Sequence, residues 1–188
     1  FPPTYASSWN PGKDGIGLNF DKTDDYVDCG TNPILNLTNN LTLIAVCQPL
    51  SASGEGENIV INRSTGPDRA GGYALLCGTT KMSLYIGNGA EQACLQDITN
   101  IGFNRFVATY NNTSKIVCLY KNGTLIKTAT FTGNASSFAG NFYIGFRPAW
   151  NYNYDGSISE VRVLNRDYSA QEVLQLQNDP YGMFSKKK

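Results

Sequence analysis

The feature that most constrains the fold is a strand near the C-terminus that leads into a single short helix. Val161 and Val163 alternate with Glu160 and Arg162, and this period of two predicts a strand with one buried face. The pattern in the rest of the chain predicts strands and turns. A strand that ends in one helix therefore restricts the fold to all-β architectures that close with a helix.

The helix signal begins at Ser169. Ser169 and Glu172 form a capping box, in which the hydroxyl and the carboxylate satisfy backbone N–H groups that have no partner inside the helix. Asp179-Pro180 is predicted to end the helix, because the residue before a proline avoids the helical conformation. The predicted apolar side consists of Val173, Leu174 and Leu176.

Short strand patterns recur at even spacing through the chain. Residues 41–47 are apolar on both faces, which predicts a central strand. Asn88-Gly89 and Asn122-Gly123 predict type I′ hairpin turns. The pattern also predicts one strand over 141–146 and a loop over 147–153. Strands joined by turns, without helices between them, predict an all-β, antiparallel two-sheet jelly-roll sandwich with one short C-terminal helix.

The length of 188 residues predicts one domain with a core of its own. We expect the domain to span 16–178. Residues 1–15, rich in Pro and Gly, are predicted to be an irregular lead-in, and 179–188 a C-terminal tail that ends in three lysines.

The amino-acid composition argues against several classes of binding partner. The 15 basic and 15 acidic side chains give a formal net charge of zero, so nothing predicts a basic surface for nucleic acid. No apolar run is long enough to predict a membrane span. The chain has five cysteines in no metal-binding spacing and no histidine, which argues against a zinc site and favours free, mostly buried thiols.

Several motifs occur in a fixed order at 20–27, 41–45, 106–110, 119–123, 144–145 and 156–172. Together they resemble the laminin-G-like, concanavalin-A-like superfamily. The resemblance covers residues 16 to 178 and implies two stacked antiparallel sheets with a concave face and loops at the rim. It also implies a non-catalytic module for binding or assembly. Some members hold calcium, although Ser159 stands where the family usually has Asp.

The segment 179–184 resembles tails that follow this domain in phage and bacterial surface proteins. That resemblance implies an extracellular, cell-surface or virion location.

No catalytic pattern is present. The chain has no histidine and no Gly-x-Ser-x-Gly motif, so the sequence does not predict a Ser-His-Asp triad. Glycosidases of this fold need two carboxylates that face each other across a cleft. Glu55 and Glu57 lie in a Gly/Ser loop without a strand to orient them. We therefore expect no enzyme activity.

An acidic turn is the candidate metal site. Asp21, Asp24 and Asp25, with Asp155 as a further ligand beside the last strand, offer the hard oxygen ligands that Ca²⁺ prefers. The alternative is that these aspartates only cap backbone N–H groups of the turn.

The candidate ligand site is the densest aromatic and amide cluster of the chain. Stacking aromatics beside amide and guanidinium donors suit the apolar faces and hydroxyls of sugars. The same side chains are also common in protein interfaces. The predicted ligand-binding residues are Arg147, Trp150, Asn151, Tyr152, Asn153 and Tyr154.

Two functions remain open at this stage. The first is a recognition module that binds a glycan or surface polysaccharide through the rim loops. The second is a structural or decoration domain that contacts neighbouring protein subunits of a virion or surface assembly.

Overall fold

A computed structural model of the chain describes residues 9–12, 15–51, 58–63, 71–88, 91–147 and 152–182. These residues form strands, one α-helix and one turn of 3₁₀-helix at Pro33–Leu35. The elements are β1 Trp9–Gly12, β2 Gly15–Asp21, β3 Val27–Asp28, β4 Leu41–Pro49, β5 Asn58–Arg63, β6 Gly72–Cys77, β7 Lys81–Gly87, β8 Glu91–Asp97, β9 Asn104–Tyr110, β10 Ile116–Lys121, β11 Thr124–Thr130, β12 Tyr143–Ile144, β13 Phe146–Arg147, β14 Tyr152–Asn153, β15 Asp155–Leu164 and α1 Ala170–Asn178.

Two antiparallel sheets stack into the predicted jelly-roll sandwich. The larger sheet has seven strands in the order β1-β2-β15-β4-β9-β10-β11, and the smaller has six in the order β3-β12-β5-β6-β7-β8. Strand β4 is the fourth of seven, which confirms its predicted central position. Its core-facing side chains, such as Leu43, pack with Leu75 and Leu84 of the opposite sheet. The fold class predicted from the sequence is confirmed.

Strand β15 contains a bulge that explains its apolar pattern. Ile158 lies in the core, and the next core contact is Val161, three residues on. The pairing with β4 shifts between Ile158 and Glu160, so Ser159 is the extra residue, and its hydroxyl lies 3.3 Å from the Val46 carbonyl oxygen. One inserted residue reverses the alternation, which places Val161 and Val163 toward the core.

Helix α1 covers the outer face of the seven-stranded sheet. Its Val173 and Leu176 pack against Ile44 and Val107, and burying each contributes about 2 kcal/mol. The capping box is present as predicted. Leu174, predicted on the apolar side, is instead 51% exposed, because it points away from the sheet that receives Val173 and Leu176.

Three charged side chains join the helix to this face. The Arg105 guanidinium, only 1% exposed, lies 3.4 Å from a Glu160 oxygen, and Arg162 lies 2.7 Å from the other Glu160 oxygen. Arg105 also donates to the Leu176 carbonyl at 3.3 Å, near the end of α1. The outward face of β15, predicted to be polar, is therefore an ion-pair network beneath the helix.

The outer face of the six-stranded sheet is closed in its middle. Ala74, Leu76 and Tyr85 alternate with core residues and are at most 3% exposed. Among the described side chains of β6 and β7, none is open on this face, so in this part of the sheet the groups that can meet a ligand lie toward the rim.

Two segments differ from their predicted structure. Residues 9–12, expected within an irregular lead-in, form β1 and pair with β2. Pro11 is tolerated because β1 is the edge strand of its sheet. The segment 141–146, expected as one strand, is broken into β12 and β13. Gly145 between them has a φ of +80°, a conformation that glycine adopts at low cost.

The Asn122-Gly123 turn is confirmed, since both residues have positive φ, +50° and +80°. Gly89 of the other predicted turn lies outside the described residues. All five cysteines are free thiols, and Cys47, Cys77 and Cys94 are buried, as predicted. Within the described part of the chain, the single α-helix is nine residues long and is too short to cross a membrane.

Candidate functional site

The predicted ligand loop is built on a hairpin. Strands β13 and β14 pair with each other in a small sheet of their own, with Phe146 opposite Asn153 and Arg147 opposite Tyr152. Trp150 and Asn151, which lie between these two strands in the sequence, are outside the described residues. The hairpin follows β12 and leads directly into β15, so it connects the two large sheets.

Buried side chains hold the base of this hairpin. Arg147, Asn153 and Tyr154 are 4%, 7% and 0% exposed. The Tyr154 ring packs edge-on against Phe20 at 5.8 Å, and the Tyr154 N–H donates to the Gly145 carbonyl at 2.8 Å. These three residues fix the hairpin in place rather than offer a surface. The ligand-binding role of the cluster stays a prediction. Its three buried residues, Arg147, Asn153 and Tyr154, support the hairpin at its base.

The acidic turn follows β2 beside the hairpin. One carboxylate oxygen from each of Asp21, Asp24 and Asp25 lies within 4.8 Å of the others. Asp21 also accepts the Thr23 N–H at 2.8 Å, and Asp25 accepts the Asp21 N–H at 3.1 Å. Two of the three carboxylates thus cap the turn, and metal binding by the cluster stays a prediction.

The electrostatics of the turn favour a cation. Partial burial raises the pKa of Asp25, and the Asp21 and Asp24 charges raise it further, against the lowering effect of the Asp21 N–H. Asp155 pairs directly with Asp21 across β15 and β2, and opposite residues place their side chains on the same face of a sheet. Its carboxylate is not among the three oxygens within 4.8 Å of one another.

The Asn153 side chain connects the turn to the hairpin. Its amide nitrogen donates to the Thr23 carbonyl oxygen inside the acidic turn. Its amide oxygen is buried and has no hydrogen-bond partner among the described residues. A buried oxygen without a donor is costly unless a cation or water meets it.

Sequence reasoning missed an aromatic cluster beside the hairpin. Tyr26 stacks on Phe146 with ring centroids 4.9 Å apart and an interplanar angle of 26°. Tyr143 lies edge-on to both, at 5.9 Å from Tyr26 and 5.6 Å from Phe146. Tyr26 is separated from the other two by more than a hundred residues, and no sequence pattern indicates that they meet. Only the pairing of β3 with β12 reveals the cluster.

Polar groups border the aromatic cluster. The Asp28 carboxylate accepts the Asn141 side-chain N–H and the Gly30 backbone N–H, each at 2.8 Å. Burial raises the pKa of the Tyr143 phenol, the nearby Asp28 charge raises it further, and a side-chain hydrogen bond with Asn141 opposes both. The phenol is therefore protonated at neutral pH and available as a hydrogen-bond group.

Solved structures share this architecture at low sequence identity. The chain is similar to the CBM40 of a Ruminococcus gnavus IT-sialidase, with a TM-score of 0.70, 15% identity and coverage of 86% of this chain and 96% of that one. It is also similar to the binding domain of Paraclostridial Mosquitocidal Protein 1, with a TM-score of 0.73, 14% identity and coverage of 93%. A structure of botulinum neurotoxin type C is similar over 91% of the chain, with a TM-score of 0.67 and 12% identity.

The chain spans about half the length of the two toxin structures, 46% and 44%. No curated protein has a sequence that matches this one. A family model described as the concanavalin A-like lectin/glucanases superfamily matches residues 21–174, which is most of the chain. The motifs, the jelly roll and this match agree, and the chain belongs to the concanavalin A-like lectin/glucanases superfamily.

Proposed function

We propose that this domain is a non-catalytic carbohydrate-binding module that contacts its ligand through the rim hairpin of 146–153. The observation that carries the proposal is the contrast between the middle of the six-stranded sheet, where the described outward side chains are buried, and the hairpin at its rim. On the outer face of the six-stranded sheet, the described side chains of Ala74, Leu76 and Tyr85 in β6 and β7 are buried and cannot meet a ligand. The hairpin at its rim is supported by buried Arg147 and Tyr154, and rigid support improves the precision of a binding site.

The similar structures support a glycan as the ligand class. The Ruminococcus gnavus CBM40 is bound to α2,3-sialyllactose, and cell entry of botulinum neurotoxin type C depends on two ganglioside molecules. A location outside the cell or on a surface agrees with a glycan ligand. In this proposal Trp150, Asn151 and Tyr152 contact the sugar, and Arg147, Asn153 and Tyr154 hold the loop that presents them.

The alternative function is a structural module that uses the same surface to bind neighbouring subunits of a virion or cell-surface assembly. The aromatic and amide residues of this segment also suit a protein interface. The two functions predict different partners for one surface, so one set of variants separates them.

A glycan array with the wild-type protein and Trp150→Ala tests the proposal. We expect the wild type to bind a defined set of glycans and the variant to lose about fivefold or more in affinity, because an aromatic stacking contact contributes about 1 kcal/mol or more. Trp9→Ala, the other tryptophan of the chain, located in edge strand β1, is the matched control. Bound glycans should be recovered uncleaved.

Other outcomes have distinct meanings. Equal glycan binding by Trp150→Ala and the wild type would move the site away from the hairpin tip. Absence of any glycan ligand, together with oligomers in light scattering that Trp150→Ala dissociates, would favour the assembly function. Cleavage of a bound glycan would contradict a non-catalytic module.

We propose that the acidic turn binds Ca²⁺ and stiffens the rim next to the hairpin. The residues fit the ion: Asp21, Asp24 and Asp25 bring three carboxylate oxygens within 4.8 Å, and oxygen ligands suit Ca²⁺. The Asn153 amide oxygen, buried without a donor among the described residues, is a further neutral oxygen on a side chain that bonds to Thr23 of the turn. Asp155 is a further candidate ligand from β15.

Removal of calcium tests this site. We expect a chelator to lower the melting temperature of the wild type, since a ligand that binds only the folded state stabilises it. Asp24→Asn should abolish the calcium-dependent shift, and Asp97→Asn, an exposed aspartate at the far edge of the six-stranded sheet, should retain it. A melting temperature that does not respond to chelator would leave the turn with its capping role alone.

A further inference from the structure

The aromatic cluster of Tyr26, Tyr143 and Phe146 lies outside the hairpin residues predicted from the sequence and presents an open aromatic face. Tyr26 is 51% exposed, although one face of its ring is stacked on Phe146. The exposed area therefore belongs largely to the other face. Phe146 and Tyr143 are only partly exposed, so they act as the support of this ring.

The cluster is held in a fixed geometry. Tyr143 pairs with Asp28 on one side and with Ile61 on the other, so its backbone is fixed between two strands. Its ring lies at 74° to Tyr26 and 87° to Phe146. Side chains that are already ordered lose little conformational entropy when a ligand binds. An exposed aromatic ring that is already ordered in this way is suited to bind a ligand.

The border of the cluster matches a hydroxylated ligand. A sugar ring has apolar C–H faces and a rim of hydroxyls, and each hydroxyl both donates and accepts hydrogen bonds. The Tyr26 face suits the C–H side. The Asp28 carboxylate, the Asn141 amide and the Tyr143 phenol form a connected polar group next to it. An apolar peptide would offer no partner for the remaining donors and acceptors of these groups, and their desolvation would weaken its binding.

The charge around Tyr26 decides which glycans fit. Residues 21–28 contain four aspartates and one lysine, and the Lys22 ammonium bonds the Ser51 hydroxyl at 2.8 Å. Like charges disfavour an anionic ligand at close range. A cation held by Asp21, Asp24 and Asp25 would reduce this field, but the Asp28 carboxylate at the border of the aromatic cluster is not one of these three ligands.

We infer that the exposed face of Tyr26 stacks on an uncharged pyranose ring, so that this domain selects neutral glycans over sialylated ones. The inference rests on the proposed carbohydrate-binding function and names its ligand class. It also separates this chain from the similar structures whose ligands are sialyllactose and gangliosides.

An array of neutral oligosaccharides and their sialylated counterparts, matched in pairs, tests the inference. We expect the wild type to bind neutral members and to lose binding when a terminal sialic acid is added. Tyr26→Ala should weaken binding to the best neutral glycan about tenfold, and Tyr26→Phe should keep most of it because the stacking face remains. Tyr181→Ala removes a tyrosine that is also 51% exposed, beyond α1, and should bind like the wild type.

Melting curves of each variant establish that it is folded, and Tyr26→Leu, which keeps apolar volume without an aromatic face, should bind as weakly as Tyr26→Ala. A preference for sialylated glycans, or unchanged binding by both Tyr26→Ala and Tyr26→Leu, would overturn the inference and leave carbohydrate recognition intact. If the wild type binds no glycan of either kind, both the inference and the proposed function fail.

Discussion

Aromatic and charged side chains are buried on one outward surface of this sandwich and exposed on the other. Over the seven-stranded sheet, Tyr168 is 7% exposed and lies under the Arg166 guanidinium at 4.3 Å, and the Arg105 charge is buried against Glu160. At the β3–β12 edge, Tyr26 is 51% exposed and the Asp28 carboxylate is open to solvent. One surface uses aromatic and charged groups to close the fold, and the other leaves them available.

This difference shows where a ligand surface is to be sought. An aromatic ring that packs under a helix contributes to stability, and its substitution should weaken folding without changing what the protein binds. An aromatic ring stacked on a partner but open on its other face contributes little to folding. A cluster of such rings at one edge of the sandwich is therefore the place to test for a ligand contact.

Tyr168→Ala and Tyr26→Ala compare the two surfaces directly and carry the largest expected difference. Tyr168→Ala should lower the free energy of unfolding by about 4 kcal/mol, the range for deleting a buried aromatic ring. Tyr26→Ala should lower it by about 1 kcal/mol, because half of the ring is already in water. Urea unfolding measures both. Similar losses from the two variants would mean that Tyr26 is a packing residue and would remove the contrast.

Much of the fold could be predicted, because its signals are local. Alternation identifies β15, the Ser169–Glu172 spacing identifies the helix start, and Asn122-Gly123 identifies a hairpin. The break at Gly145 was missed, since apolar residues continue on both sides of it and only the positive φ separates β12 from β13.

The site was harder to predict than the fold. The contacts that define it join residues far apart in sequence, such as Tyr26 with Phe146 and Asn153 with Thr23. Periodicity reports which face of a strand is buried, but it carries no information about which loops meet. The hairpin residues were identified by composition, and composition could not distinguish Tyr154 at the buried base from residues nearer the tip.

Glu160→Ala tests the buried charge network on the closed surface. Removing the carboxylate takes away the Glu160 ion pair of Arg105, whose side chain is 1% exposed, and should cost about 3 kcal/mol of unfolding free energy. Asp97→Asn removes an ion pair whose aspartate side chain is 88% exposed and should change stability by less than about 0.5 kcal/mol. Glycan binding should be unchanged in both variants. Lost binding in a folded Glu160→Ala protein would contradict the separation of the two surfaces.

Ser169→Ala tests how much the helix cap contributes to the closed surface. The Ser169 hydroxyl accepts the Glu172 N–H at 3.3 Å, and the Glu172 carboxylate accepts the Ser169 N–H at 2.8 Å. Loss of the hydroxyl should cost about 1 kcal/mol. Ser169→Asp, which retains an oxygen acceptor at the cap, should lose much less. Equal losses from the two variants would show that the cap oxygen is not the stabilising group.

The pH dependence of Glu172→Gln is the smallest expected effect and isolates the charge of the same cap. The Ser169 N–H, followed by the Arg166 guanidinium, lowers the pKa of Glu172 below its ordinary value of 4.5. A carboxyl group with a lowered folded-state pKa stabilises the fold above its unfolded pKa, and this contribution is lost as the pH falls through the folded pKa. Because the Glu172 side chain is 37% exposed, solvent screening limits the contribution to a few tenths of a kcal/mol. The variant keeps a hydrogen-bonding side chain, so it should be slightly less stable than the wild type at neutral pH and equal to it in acid. High salt should reduce the stability difference between the variant and the wild type at neutral pH. A stability difference that persists in acid would show that packing, and not the Glu172 charge, is its cause.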